Sequence, residues 1–237
     1  MTTANSPVPQ AGQTGTPREF YVFPDPPECP EDRMTSFDQL TITGNAHYLA
    51  AHLAQYRGHP ESTLVAGDRY LALAPTRNLA GVRYPDLLVA FDVDPAAYKA
   101  RNAYVITDQT KPPDLVLEVA SPSTGRVDVE EKRVDYAALG IPEYWRFDET
   151  GEHHGTRLAG DSLVDGAYVP IPIEQLADGL YQGYSEVLQL CLRWVEGQLR
   201  WYFPPEERYV ATLESERVRA ELAEARIQEL EERLRRQ

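Results

Sequence analysis

Asp86, Glu118 and Lys132 are the residues in this chain whose types and placement could do chemistry together. Glu118 lies inside Leu115-Val116-Leu117-Glu118-Val119-Ala120, an apolar run of strand length with strand-forming residues. Such a run, lacking polar alternation, belongs to a strand covered on both faces. A carboxylate there is expensive to bury unless a cation meets it. Lys132 breaks the helical stripe Val129, Tyr136, Leu139, so its stem faces the sheet. Asp86 follows Pro85 and opens a second buried run, Leu87 to Phe91. Two carboxylates on adjacent strands can share one divalent cation if they lie about 4 to 6 Å apart, given metal–oxygen distances near 2.3 Å. An ammonium beside them can position or deprotonate a water. This chemistry suits metal-assisted phosphodiester hydrolysis. The plainer alternative is a structural Glu118–Lys132 ion pair, with Asp86 merely ending a strand.

The elements that must position these groups form a strand–helix–strand unit between Lys111 and Asp148. Ser121 to Gly125 breaks the first strand. Asp128 with Glu131 reads as a capping box, Gly140 followed by Pro142 as the helix stop, and Tyr144 to Phe147 as the next strand. Asp114 is expected in a turn and Asp128 as a helix cap, with Tyr136 and Trp145 as core packing. His47 reads as a core histidine, and His153-His154 beside glycine as an exposed loop.

Upstream, residues 1 to 18 are small, polar and Pro/Gly-rich, which predicts disorder. Phe20 to Arg33 reads as an extended arm. Asn45 can cap a helix from Ala46 to Arg57 that Gly58 ends. Ser62–Val65 and Arg69–Leu73 look like a hairpin around Ala66-Gly67-Asp68. Asp92 to Asp108 reads as a loop with a helical turn. Downstream, short strands are expected near Thr156–Leu158 and Ala167–Ile173. A small turn or helix is expected at Ile173–Leu180, and a short apolar helix at Leu188–Glu196.

The chain has 237 residues, 42% of them hydrophobic, enough for one domain with a sizeable core and a tail. No apolar run approaches membrane length, and the N-terminus lacks a basic, hydrophobic signal pattern. Cys29 and Cys191 are isolated, which fits free thiols in a reducing cytoplasm and gives no zinc spacing. The formal net charge of −14 counts against broad phosphate-backbone binding, which usually leaves a basic footprint. From Glu206 to Gln237 the chain is rich in Glu, Arg, Leu and Ala and has no Gly or Pro. Leu213, Ala220, Ala223, Ile227, Leu230 and Leu234 take a and d positions of a heptad, so a coiled-coil homodimer is expected.

The joint pattern resembles the Uma-two family. It comprises Pro85-Asp86, Pro113-Asp114-Leu115-Val116-Leu117-Glu118-Val119, Ser121-Pro122-Ser123-Thr124, Asp128, Lys132, Tyr136, Gly140 and Glu143-Tyr144-Trp145. The likeness runs over about residues 45 to 180. It implies an α/β, restriction-endonuclease-like αβββαβ core with a mixed central sheet, here followed by a coiled-coil-like helix. The implied division is an N-terminal arm over 1–33, a PD-(D/E)XK-like nuclease domain over 34–205 and the C-terminal helix over 206–237. It also implies a Mg²⁺- or Mn²⁺-dependent endonuclease acting on DNA in the cytoplasm, with Asp86 and Glu118 as metal ligands. The superfamily lysine two residues after the glutamate is replaced here by Ala120, and Lys132 is the migrated candidate. The first helix lacks the usual acid, which leaves His47, Glu61 or Asp68 open as a third ligand. A competing reading is a catalytically weak or inactive nuclease fold that serves as a protein-interaction module.

Overall fold

A computed structural model describes residues 20–26, 43–121 and 125–236. The expectations for residues 1 to 18, and for Cys29, lie outside these residues. The described part of the arm, residues 20–26, forms neither helix nor strand and buries Phe23, whose backbone N–H donates to Arg101 O at 2.9 Å.

Helix α1 spans Thr43–Arg57 and is followed by β1 (Leu64–Gly67), β2 (Tyr70–Ala72) and β3 (Leu87–Ala90). Next come α2 (Pro95–Arg101), β4 (Ala103–Val105), α3 (Ile106–Gln109) and β5 (Leu115–Val119). A composite helix, α4, covers residues 125–138 and leads into β6 (Glu143–Phe147), β7 (Leu158–Val164) and β8 (Ala167–Pro170). The main sheet has the order β1-β3-β5-β6-β7-β8, with β5 and β6 parallel and every other pair antiparallel. Within this sheet α1, β1, β3, β5, α4 and β6 follow one another as the expected αβββαβ core. The mixed pairing arises because α4 is the crossover that parallel neighbours require.

A second sheet follows: β9 (Ile173–Ala177), β10 (Leu180–Ser185), β11 (Leu190–Val195), β12 (Gln198–Phe203) and β13 (Arg208–Tyr209), then α5 (Leu213–Arg235). This sheet packs on one face of the main sheet. Leu87, Val89, Leu117, Trp145 and Phe147 meet Leu190, Leu192, Trp194 and Trp201 there, together with Leu49 and Leu53 of α1. The indole of Trp145 lies flat against two glycines. A Cβ on Gly160 or on Gly183 would stand 2.8 Å from its ring, closer than real contacts allow. The opposite face carries Leu88, Ala90, Val116 and Tyr144 against Tyr136 of α4.

Several local expectations are corrected. The Ser62–Leu73 hairpin does not form: β1 pairs with β3, while β2 pairs in parallel with β4 and bridges Leu71 to Arg83. The stretch Leu188–Glu196 holds strand β11 (Leu190–Val195), not a helix. Leu190, Leu192 and Trp194 alternate into the core while Arg193 and Val195 turn away from it, and period-two burial outweighs the bulk apolarity of the run. Ile173–Leu180 supplies β9 and the start of β10 instead of a turn or helix. Asn45 is no cap. Helix α1 begins at Thr43, and the Asn45 side chain accepts from Leu213 N at 2.8 Å, fastening the start of α5. Gly58 does end α1, with φ 72°.

His52 on α1 is buried against Tyr56 and Phe203. Burial first, then the Arg208 charge, pushes its pKa down from 6.5 to about 4. The unfolded chain therefore binds a proton that the folded one refuses between these values. Stability present above pH 6.5 is lost as pH falls from there towards 4, by about 3 kcal/mol in full. Melting temperatures at pH 7 and pH 5 should show this decline, and His52→Phe should flatten it. An unchanged slope in that variant would remove His52 as its cause.

Candidate active site

The register aligns the acids. In β3 and β5, Leu87 faces Leu117 and Leu88 faces Val116, so one residue further along the same register Asp86 stands across from Glu118. Facing residues of antiparallel strands hold their Cβ atoms about 4.5–5.5 Å apart and point to one side. That side is the one α4 covers. Asp86 is half-buried, and its Oδ2 accepts from Val119 N at 2.6 Å. Burial first, then the Glu118 charge, pushes its carboxyl well above the ordinary range.

Glu118 is fully buried, and its pKa is pushed up to about 6. Burial is the main cause and Lys132 the main counterweight, while Asp128 pushes it further up. The Lys132 Nζ lies 2.8 Å from Glu118 Oε2 and 2.9 Å from Asp128 Oδ1. The Tyr136 hydroxyl donates to Glu118 Oε1. Lys132 thus bridges two buried acids. Burial alone would lower its pKa, yet Glu118 and Asp128 hold it above the usual lysine value.

Helix α4 is irregular where it carries these groups. Gly125–Val127 and Arg133–Ala138 are α-helical, but Asp128–Lys132 is one wide π turn. Such bulges are frequent at functional sites. Asp128 is therefore not the helix cap expected for it. It is a fully buried carboxylate within the helix, 3.1 Å from Nε2 of His154. His154 is likewise not exposed: only 1% of its side chain is accessible. The loop that carries it is gathered by Asp148, whose carboxylate accepts from the backbone N–H groups of Thr150, Gly151, His153 and His154. Tyr136, expected as plain core packing, also holds Glu118. Trp145 is core, and its indole N–H donates to Glu143 at 2.8 Å. Asp114 accepts from Phe91 N and from Lys111.

Among the three open third ligands, only Asp68 approaches the pair. The β1–β3 register, carried one residue on, puts it across from Asp86, with Asp68 N donating to Asp86 O at 3.3 Å. Its charge also raises the Asp86 pKa. His47 is exposed on α1, edge-on to Tyr48, and not in the core. Glu61 is exposed and pairs with His59 at 3.5 Å. Among the described residues, no three His, Cys, Asp or Glu converge as a cation cage. A hard divalent cation of the Mg²⁺ type suits two carboxylates completed by water and substrate oxygens better than a full protein cage. Asp86 and Glu118 stand side by side, and beyond the effect of burial the Glu118 charge adds to the rise at Asp86, which favours a positive charge between them. The residues present therefore fit such an ion.

The mixed sheet with a helical crossover between its parallel strands defines an α/β protein with the restriction-endonuclease-like core order. Residues 46–231 match the model of the Uma2 family, described as "Putative restriction endonuclease". The chain belongs to that family. Curated proteins give no match. Among solved structures, the chain is similar to the crystal structure of a "putative nuclease belonging to DUF820" from Anabaena variabilis ATCC 29413. The two share 10% identity and a TM-score of 0.34, over 57% of this chain and 74% of that one.

Proposed function

We propose that the protein is a metal-dependent DNA endonuclease, with Asp86 and Glu118 as the carboxylates that hold Mg²⁺ or Mn²⁺ and Lys132 as the cation beside the reacting phosphate. The register that sets Asp86 across from Glu118, with Lys132 on the same side, carries this reading. When bound, the metal ion supplies Lewis acidity to the scissile phosphate and lowers the pKa of a water. The chain's own groups do the rest. Lys132 orients the attacking water and offsets the negative charge that develops as the new P–O bond forms and the 3′-oxygen leaves. Tyr136 keeps Glu118 turned towards the site. Asp68 is the candidate for a third ligand. Lys132 also lines a cleft of about 280 Å³ with Arg83, Tyr84 and Glu131, through which a backbone phosphate could reach it. On this reading the protein works in the cytoplasm, where its DNA substrate would be met.

Supercoiled plasmid incubated with the full chain should convert to the nicked form with Mg²⁺ and remain supercoiled with EDTA. Intact plasmid under both conditions, with Mg²⁺ and Mn²⁺ each tried, would leave the interaction-module reading in its place.

No helix among the described residues is long and apolar enough to cross a membrane. Helix α5 instead leaves Leu213, Ile227, Leu230 and Leu234 at least 44% exposed along the heptad seam. We assign that seam to a second copy of the chain. Ending the chain at Thr212 keeps β13 and the buried Val210. This truncation should convert a dimer to a folded monomer in sedimentation velocity, and an unchanged assembly state would remove α5 as the interface.

A further inference from the structure

We propose that His154 is a positioning residue: through Asp128 it holds the Lys132 ammonium on Glu118. Its catalytic consequence rests on the nuclease reading of that site. The contacts form one line, from His154 Nε2 to Asp128 Oδ2 (3.1 Å), Asp128 Oδ1 to Lys132 Nζ (2.9 Å) and Lys132 Nζ to Glu118 Oε2 (2.8 Å). A lysine head on four flexible methylenes has no preferred direction of its own, so its neighbours must supply one. The π turn lets Asp128 and Lys132 both face inward. Asp128 is then pinned at two points, its carboxylate by His154 and its carbonyl by the Tyr144 hydroxyl at 2.8 Å.

The histidine is itself fixed from behind. Asp148 gathers the loop by four backbone N–H groups. The start of α4 presses so closely on that loop that a Cβ at Gly125 would stand 2.6 Å from His153 O. Burial would raise the Asp128 carboxyl, but the His154 hydrogen bond and the Lys132 charge outweigh it and hold the group below its ordinary pKa, so it stays an acceptor. Nε2 of His154 faces that carboxylate and donates to it, while Nδ1 has no hydrogen-bond partner among the described residues. A side chain that only filled space would need neither the donor nor its aim. Removing the donor frees Asp128 to turn, and Lys132 follows it away from Glu118.

The chain has three lysines, Lys99, Lys111 and Lys132, so the Lys132 ammonium can be followed in ¹⁵N-lysine protein and assigned by its loss in Lys132→Met. In the wild type, the two buried carboxylates should slow its proton exchange enough to give a resolved signal. In His154→Ala this signal should vanish. With plasmid and Mg²⁺, kcat should fall roughly tenfold to a hundredfold, the range for groups that orient a metal-site residue, with KM and Mg²⁺ affinity unchanged. His154→Gln, which keeps a donor, should recover most of both. Asp128→Asn preserves shape and removes the charge that draws Lys132. It is read in the same way should the alanine variant not fold. A retained ammonium signal with wild-type kcat overturns the proposal. If the wild type itself does not nick DNA, the nuclease reading fails and the ammonium signal alone decides: lost in His154→Ala it upholds the positioning, kept it overturns it.

Discussion

Lys132→Met should give a folded protein that no longer nicks DNA and still binds Mg²⁺. Methionine replaces the lysine stem at similar volume beside Val129 and Tyr136, so the packing of α4 survives. What disappears is one positive charge that answers two buried acids, Glu118 and Asp128. Stranding a buried charge partner destabilises by about 3–5 kcal/mol. Two partners remain, since Tyr136 still donates to Glu118 and His154 to Asp128. Glu118 can also take up a proton. Burial already holds it at about 6, against 4.5 ordinarily, and Lys132 is the main group opposing that rise. Without Lys132 its folded pKa climbs further. The loss should therefore be greatest at alkaline pH and shrink as pH falls and Glu118 protonates. Saturating Mg²⁺, by supplying charge next to Glu118, should also reduce it. Calorimetry with and without metal checks the stability, and plasmid nicking checks the chemistry. Wild-type nicking by this variant would take Lys132 out of the reaction.

Glu118→Gln should lose nicking and Mg²⁺ binding together, while the metal-free protein melts no lower than the wild type at pH 7.5. The amide keeps the acceptor for Tyr136 and removes a charge that burial penalises. A folded pKa of about 6 against 4.5 corresponds to about 2 kcal/mol held against the fold when the group is ionised. The sign follows from that direction. The folded state binds the proton more tightly than the unfolded one, so the burden is full above pH 6 and gone below 4.5. The benefit of the substitution should thus be visible at pH 7.5 and fade towards pH 4.5. Lys132 keeps Asp128 as its counter-ion. Asp86, raised in part by the Glu118 charge, should titrate closer to its ordinary value. A Glu118→Gln protein that titrates Mg²⁺ as tightly as the wild type would end its role as a metal ligand.

Much of this centre could be read from the sequence because its logic is local. Polar residues set in apolar runs mark Glu118 and Lys132, and Pro85 marks the strand that Asp86 opens. His154 could not be read in this way. A histidine among glycines looks like a surface loop, and its burial depends on Asp148 collecting four N–H groups and on Gly125 admitting the loop backbone. Asp128 misled because Asp-x-x-Glu is a fair capping signal. The helix starts earlier, at Gly125, and the acid turns inward. The Ala66-Gly67-Asp68 turn was legible, but not its consequence. Asp68 takes φ 47° and sends the chain to a different sheet instead of back along β1. In β11 the alternation of Leu190, Leu192 and Trp194 was present in the letters, and overall apolarity hid it.

The two faces of the main sheet carry different chromophores. All three tryptophans, Trp145, Trp194 and Trp201, lie in the layer between the sheets, whereas Tyr104, Tyr136, Tyr144 and Tyr168 lie on the face that carries the acids. Tryptophan emission therefore senses whether the sandwich is closed and is nearly blind to Glu118 and its neighbours. Near-ultraviolet tyrosine bands, those of Tyr136 and Tyr144 above all, sense the other layer. A ligand that rearranges the acids without loosening the sandwich would change one spectrum and leave the other still.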